Sequence, residues 1–248
     1  MFPDALATPE ADRSRSATRF FILPRLGGLG AVIFALCPDR EGAREKLAIE
    51  LIRSLVNLDP ARYSALVDDR LELAADAWGR PRLIRGRQSG PSISFSHNQG
   101  LLRGAVIGRG GIGCDLVLPE EFKPPYPLAR AFHTQELKNA GEFGLNLSSA
   151  AALIWSVKEA VVKALGTGFN LFDPLEIEVI QAQLVTGGFM FQARVQKAGD
   201  RVLLPAWADW KNQRWLALCA TGSNSSIYMD RIMSTHGKFK VTECPWSR

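Results

Sequence analysis

The chain has 248 residues, of which 46% are hydrophobic, so it can bury a full core in one large domain or two small ones. Its 30 lysines and arginines exceed its 25 aspartates and glutamates, and the net charge of +5 favours anionic partners without choosing among them. The four cysteines lie far apart without a Cys-x-x-Cys pair, which argues against a zinc site or a disulfide framework and favours a reducing cytoplasm. The polar N-terminus lacks the apolar segment of a signal peptide, and no apolar run is long enough to span a membrane.

The first part of the chain combines strand and helix patterns. Residues 20–23 and 31–36 have the pattern of two short strands joined by a glycine-rich turn. Apolar residues at helical spacing predict a helix over 40–56, and the segment 61–69 is compatible with a second, short helix. The arginine-rich segment 79–91 is punctuated by glycine and proline, so its own pattern predicts a solvated loop.

Three strand patterns follow, over 92–96, 101–107 and 112–118. The first delivers Ser96 and His97, which offer hydrogen-bond donors to a phosphate, although a structural histidine is a fair alternative. In the third, Asp115 is the one charged residue among apolar neighbours. Because a buried carboxylate is costly unless it is paired or metal-bound, Asp115 is a candidate metal ligand.

The most informative stretch is a helix predicted over residues 148–166. Ser148 or Ser149 can cap its start and Gly166 its end. Apolar side chains at three- and four-residue spacing form one buried face, and Glu159 and Lys163 lie one turn apart beside it. A carboxylate there could hold a metal ion and an ammonium a phosphate, whereas an ordinary surface ion pair is the alternative interpretation of that spacing.

The remaining segments complete a mixed helix and strand pattern. Between 119 and 147 the chain is irregular, with short helices predicted over 128–132 and 134–143. Strands of an antiparallel sheet are predicted over 175–180, 181–185, 188–195, 202–210 and 215–220, the first two being compatible with one continuous strand. The last residues, 223–248, are polar and weakly periodic, which predicts a loosely held tail.

Five short blocks carry a resemblance to a known family. They are Gly79-Arg80-Pro81, Ser96-His97, Gly113-Cys114-Asp115, Phe132-His133-Thr134-x-Glu136 and Trp155-Ser156-Val157-Lys158-Glu159-Ala160-x-x-Lys163-Ala-x-Gly166. Each short block is weak alone, the last is specific, and all five occur in order with compatible spacing. In this combination the chain resembles the 4′-phosphopantetheinyl transferase superfamily, and within it the larger, monomeric, surfactin-synthetase-activating type.

The resemblance implies an α+β fold with two similar halves related by a pseudo-twofold axis. Each half would contain a small antiparallel sheet packed with a long helix, and the active site would lie where the halves meet. On this basis residues 1–118 form an N-terminal half that binds coenzyme A, residues 119–222 form a C-terminal half with the catalytic helix and the metal site, and residues 223–248 form the tail. The protein would be a cytoplasmic monomer.

The implied reaction is the Mg²⁺-dependent transfer of the 4′-phosphopantetheine arm of coenzyme A to a serine of an apo acyl or peptidyl carrier protein, releasing adenosine 3′,5′-bisphosphate. By resemblance Asp115 and Glu159 would hold the metal, and Lys163 would contact the phosphates and stabilise the departing one; these three would be the catalytic residues. Glu159, or a water beside it, is also the candidate base for the carrier serine. Coenzyme A phosphates would be bound by Arg44, Arg80, Ser96, His97, Lys158 and Lys163.

Two departures from the family pattern affect these expectations. Arg80 replaces the usual lysine, which keeps the charge but changes the geometry of its contacts. Val117 stands where the family has a second acid, two residues after Asp115 and on the same strand face. Val117 favours an alternative function, a non-catalytic relative that binds coenzyme A or a carrier protein. A nucleic-acid-binding module ranks low, because the arginines of residues 80–87 lack interleaved aromatic residues.

Overall fold

The computed structural model of the chain describes residues 18–23, 26, 31–64, 71–76, 79–85, 88–185, 187–197 and 199–222. Two antiparallel sheets, each packed with a long helix, form two similar halves, so the predicted α+β class is confirmed. The predicted tail at 223–248 and most of the short helix predicted at 61–69 lie outside the described residues. None of the helices that the structure describes is long and apolar enough to cross a membrane.

The first sheet has six strands in the order β1-β2-β6-β5-β4-β3. The strands are β1 Arg19–Leu23, β2 Val32–Pro38, β3 Leu71–Ala75, β4 Pro81–Arg85, β5 Gln88–Asn98 and β6 Leu101–Ile107. Helix α1, Ala43–Leu58, buries leucines such as Leu47, Leu51 and Leu55 against this sheet, and the single turn α2, Pro60–Tyr63, follows it. The predicted strands 20–23, 31–36, 92–96 and 101–107 and the first helix are confirmed within a few residues.

The prediction of a solvated loop over 79–91 is wrong, because β4 pairs with both β3 and β5. Along β4 the side chain of Leu83 is buried, whereas the neighbouring Arg82 is exposed. An antiparallel strand with one face in water tolerates such alternating charge. The arginines and the flanking glycines concealed the strand from an interpretation based on composition.

The second sheet has five antiparallel strands in the order β7-β11-β10-β9-β8. They are β7 Gly111–Val117, β8 Ile177–Val185, β9 Gly188–Lys197, β10 Asp200–Lys211 and β11 Arg214–Thr221. Helices α3, Thr134–Gly141, and α4, Leu147–Leu165, belong to this half, together with 3₁₀ turns at Pro119–Phe122, Leu128–Arg130, Gly168–Asn170 and Pro174–Glu176. The antiparallel sheet predicted after residue 175 is confirmed, and its first two segments form the single strand β8.

Helix α4 is the central element of the second half and packs against β7 and β11. Its N-cap is Asn146, whose Oδ1 accepts from the Ser149 backbone N–H at 2.9 Å, so the prediction of Ser148 or Ser149 as the cap is wrong. Ser149 lies in the first turn, where its hydroxyl accepts a bond from the Trp215 indole at 2.9 Å. The predicted C-cap is confirmed, since Gly166 has the left-handed φ of 86° that favours glycine.

Strand β7 joins the two halves. By its hydrogen bonds it belongs to the second sheet, next to β11, so the two sheets separate at residues 108–110. Its other edge is covered by alternate serines of β5. The Ser92 hydroxyl accepts from the Ile112 N–H at 3.2 Å, and the Ser94 hydroxyl accepts from the Cys114 N–H at 3.1 Å. These bonds satisfy backbone donors that would otherwise be buried without a partner.

Candidate active site

Two glycines of β7 allow helix α4 to approach this strand closely. A Cβ at Gly113 would collide with the carbonyl oxygen of Ala160, and a Cβ at Gly111 would collide with that of Ala164. Only glycine therefore permits this packing distance. Because side chains alternate along a strand, the next residue on the same face as Gly113 is Asp115, which is thereby placed beside α4.

Asp115, Glu159 and Lys163 meet at this contact between strand and helix. Lys163 Nζ donates to Asp115 Oδ1 at 2.6 Å and lies 3.5 Å from Glu159 Oε2. The Ser96 hydroxyl donates to the same Oδ1 of Asp115 at 2.9 Å. Asp115 and Ser96 are buried, whereas Glu159 and Lys163 are partly open to solvent. The structure thus brings together the three residues that the sequence had proposed as catalytic, with one of the proposed phosphate ligands.

The electrostatics of the cluster follow from two carboxylates that share one ammonium. Burial, followed by the charge of Asp115, raises the pKa of Glu159 to about 7, although Lys163 opposes the shift. Burial alone would lower the pKa of Lys163, but the carboxylates of Asp115 and Glu159 raise it above its ordinary value. Near neutral pH, Lys163 is therefore charged while Glu159 can both accept and release a proton.

Lys163 lies between two surface cavities of opposite character. The first, here called the basic cavity, has a volume of about 400 Å³, and its charged lining consists of three cations, Arg44, Arg80 and Lys163, and one acid, Glu45. The second, here called the acidic cavity, has a volume of about 390 Å³. Its polar lining consists of Ser96, His97, Asn98, Asp115, Glu121, Glu159 and Lys163. An anionic ligand in the first cavity and a cation in the second would both lie next to Lys163.

The other proposed coenzyme A ligands line these cavities, with one exception. Arg44 and His97 are neighbours, with Nη2 of Arg44 3.3 Å from Nδ1 of His97. The Arg80 guanidinium donates to the Ser92 hydroxyl at 2.9 Å and packs so closely on Gly166 that a side chain there would displace it. Gly166 therefore serves both as the helix cap and as space for Arg80.

The exception is Lys158, the sequence-predicted phosphate ligand that lines neither cavity. Its side chain is fully buried, and its ammonium donates to Ala131 O at 2.8 Å, Glu136 Oε2 at 2.9 Å and Pro174 O at 3.0 Å. All three N–H donors are used. Successive helix residues are rotated by roughly 100°, so Lys158 points toward α3 while Glu159 points toward β7.

Glu136 completes this buried contact. Its Oε1 accepts from the Val179 N–H at 2.7 Å and its Oε2 from the His133 N–H at 2.8 Å. Burial lowers the pKa of Lys158, and the charge of Glu136 opposes that shift. The pair therefore ties α3, α4 and the start of β8 together and belongs to the core rather than to the cavities.

Glu121 and Asn98 are residues of the acidic cavity that the sequence analysis missed. Asn98 Nδ2 donates to Glu121 Oε1 at 2.8 Å, and the Leu118 N–H donates to the same oxygen at 3.1 Å. The available signal was the acidic pair Glu120-Glu121, which follows the strand that carries Asp115. Val117 also lines the cavity, but its side chain is buried in the apolar contact with α4.

The donor set can be compared with what a magnesium ion requires. No three histidine, cysteine, aspartate or glutamate side chains among the described residues are grouped so that they could hold a metal ion. Asp115 and Glu159 supply two carboxylates, and Mg²⁺ is often held by one or two carboxylates while water and substrate phosphates complete its shell. The Lys163 ammonium supplies positive charge to these two carboxylates, as a bound metal ion would. The residues therefore fit a magnesium site with two protein carboxylates.

Comparison with known proteins points to the same part of the chain. Residues 111–203 match the sequence model of the 4′-phosphopantetheinyl transferase superfamily. The matched segment begins at the first residue of β7, ends within β10, and contains Asp115, Glu159 and Lys163. No curated protein matches the chain. That superfamily acts on carrier proteins with coenzyme A as substrate, and this segment, which is less than half of the chain, is similar to it.

Proposed function

We propose that this protein transfers the 4′-phosphopantetheine arm of coenzyme A to a serine of an apo acyl or peptidyl carrier protein, releasing adenosine 3′,5′-bisphosphate. The observation that carries the proposal is the position of Lys163 between the basic and the acidic cavity, inside the segment that matches the superfamily. One chain supplies both sheets beside these cavities, so we also assign it to the larger, monomeric, surfactin-synthetase-activating type. We further propose that it acts in the cytoplasm.

Coenzyme A would bind with its phosphates in and beside the basic cavity. Arg44, Arg80 and Lys163 supply positive charge there, and His97 lies next to Arg44. A guanidinium binds phosphate with a planar pair of donors, and its bond to Ser92 orients that of Arg80 before a ligand arrives. The pyrophosphate would then lie at Lys163, which forms the border with the acidic cavity.

In the transfer step, the carrier serine oxygen forms a bond to the phosphorus that bears the pantetheine arm. The bond from that phosphorus to the bridging oxygen breaks, and adenosine 3′,5′-bisphosphate leaves with the electron pair. Lys163 stabilises the negative charge on the departing phosphate. Glu159, or a water beside it, is the candidate acceptor for the serine proton. Asp115 and Glu159 would hold Mg²⁺, which would supply Lewis-acid stabilisation of the phosphate oxygens.

The carrier protein would dock beside the acidic cavity, on the segment of residues 119–147. This segment connects β7 with α4, so it lies next to both elements that carry the site. It exposes the cations Lys123 and Arg130 and the apolar side chain of Leu147, which is 58% exposed. Charge reversal at Lys123 or Arg130 should raise the KM for an acidic carrier more than the KM for coenzyme A. Equal effects on both KM values would exclude this docking surface.

The decisive experiment incubates the protein with Mg²⁺, coenzyme A and a panel of apo carrier proteins, and weighs the carriers by mass spectrometry. At least one carrier should gain a phosphopantetheine arm. Glu159→Gln should nearly abolish the gain, because it removes the charge on which both metal binding and proton transfer depend. Lys163→Ala should slow it, and Glu142→Gln on the exposed end of α3 serves as the matched control. Normal modification by the Glu159→Gln variant would refute the assignment of the site.

A non-catalytic relative that binds coenzyme A or a carrier protein is the second candidate. The observation that favours it is Val117, a buried apolar residue in the wall of the acidic cavity where the superfamily pattern has an acid. Such a protein would bind coenzyme A in a calorimetric titration but would add mass to none of the carriers. The same panel therefore distinguishes the two candidates.

A further inference from the structure

The acidic cavity contains a carboxylate that neither the family pattern nor the proposed mechanism uses. Glu121 follows β7 in the 3₁₀ turn Pro119–Phe122 and lines the cavity together with Asp115 and Glu159. Val117, which stands where the pattern has an acid, lines the same cavity. An acid is therefore absent from the strand, while another acid is present four residues later in the same wall.

The hydrogen bonds of Glu121 hold one carboxylate oxygen and leave the other available. Both donors, Asn98 Nδ2 at 2.8 Å and the Leu118 N–H at 3.1 Å, go to Oε1. Among the described residues, none donates a hydrogen bond to Oε2 of Glu121. The two bonds anchor the carboxylate to the end of β7 and to β5, so its position is tied to the strand that carries Asp115.

Neighbouring Glu120 is exposed, as Glu121 is, but it pairs weakly with Lys123 at 3.8 Å and does not line the acidic cavity. The two glutamates thus offer a matched pair, with the same charge at adjacent positions but only one of them at the cavity.

We propose that Glu121 supplies the third negative charge of the cation site, in place of the acid that is absent at position 117. This inference rests on the proposed function, which puts Mg²⁺ at Asp115 and Glu159. A third carboxylate at the cavity increases the attraction for a divalent cation, and carboxylates that act from outside the direct ligand set change metal affinity substantially. Glu121 is a positioning and charge-supplying residue and makes no contact with the reacting serine.

The test measures Mg²⁺ affinity by calorimetry, with and without coenzyme A, for the full chain and three variants. Glu121→Gln keeps the carbonyl acceptor for Asn98 and Leu118 while removing the charge, so it should fold normally. It should bind Mg²⁺ about 2-fold to 10-fold more weakly, because the charge of an exposed carboxylate is partly screened by solvent. Glu120→Gln is the control and should bind Mg²⁺ as the parent does. In the double variant Val117→Glu with Glu121→Gln, the acid restored to the strand should recover the affinity.

The outcomes separate this inference from the function on which it rests. If Glu121→Gln binds Mg²⁺ as tightly as the parent, or if Glu120→Gln is weakened equally, the role of Glu121 is refuted while the transferase function stands. Failure of Val117→Glu to recover the affinity refutes the exchange of one acid for the other. If the parent protein binds no Mg²⁺ even with coenzyme A present, the metal site of the proposed function fails, and the inference fails with it.

Discussion

Replacing Lys158 with methionine tests whether this residue belongs to the core or to the substrate site. The substitution keeps an unbranched side chain of similar length but removes the ammonium. Glu136 is then left 1% exposed without its counter-charge, and the carbonyls of Ala131 and Pro174 lose their donor. Removing one partner of a buried ion pair typically costs about 3–5 kcal/mol.

That loss is large compared with the roughly 5–15 kcal/mol by which a typical domain is stable. For a chain of this size, each kcal/mol lowers the melting temperature by roughly 2–4 °C, so Lys158→Met should melt about 6–20 °C below the parent. Coenzyme A affinity, measured below the transition on the folded fraction, should be unchanged, because Lys158 has no donor left for a phosphate.

The assay is urea denaturation followed by tryptophan fluorescence, combined with a calorimetric titration of coenzyme A. Lys138→Met, on the exposed surface of α3, is the control and should change the free energy of unfolding by less than about 0.5 kcal/mol. The reasoning would be refuted if Lys158→Met unfolded at the parental urea concentration but bound coenzyme A more weakly. In that case Lys158 would be a phosphate ligand, as the sequence alone had suggested.

Four further predictions concern pH and packing. Burial and a neighbouring carboxylate raise the pKa of Glu159 from 4.5 to about 7, so between these pH values the folded protein retains a proton that the unfolded chain has lost. The free energy of unfolding of the metal-free protein, measured with denaturant, should therefore fall as the pH rises across that range. Mg²⁺ affinity should rise over the same interval, since the proton must leave first; an affinity independent of pH would contradict the shift. Arg103 is fully buried, and its guanidinium lies 5.3 Å from the centre of the Phe34 ring but has no hydrogen-bond partner among the described residues. Replacement by methionine should therefore leave the free energy of unfolding unchanged or raise it by about 1–4 kcal/mol. A loss of stability in urea would show that the contact with Phe34 outweighs the cost of burying the charge. Gly113→Ala should lower stability by about 1–3 kcal/mol and reduce carrier modification, because its methyl group would collide with the Ala160 carbonyl, whereas Gly141→Ala faces open space and should do neither.

Features encoded by residues close together in the sequence could be predicted. The periodicity of α4 and the cap at Gly166 placed Glu159 and Lys163 one turn apart, and the apolar pattern of β7 identified Asp115 as an unusual charge. These inferences use spacings of two to four residues, and side chains at such spacings lie next to each other on one face of a helix or a strand. Most strands and helices were located within a few residues for the same reason.

The tertiary structure decided which of these groups meet. Helix spacing puts Lys158 and Lys163 on different faces of α4, but it could not show that Lys158 meets Glu136 while Lys163 meets Asp115, because these partners are distant in the chain. Likewise, no local signal predicted that β7 pairs with β11 or that β4 is a strand. Strand partners are distant in the chain, and the stability of their pairing depends on many residues together. Glu121 lies at the cavity because Asn98 on β5 and the Leu118 N–H hold its carboxylate there.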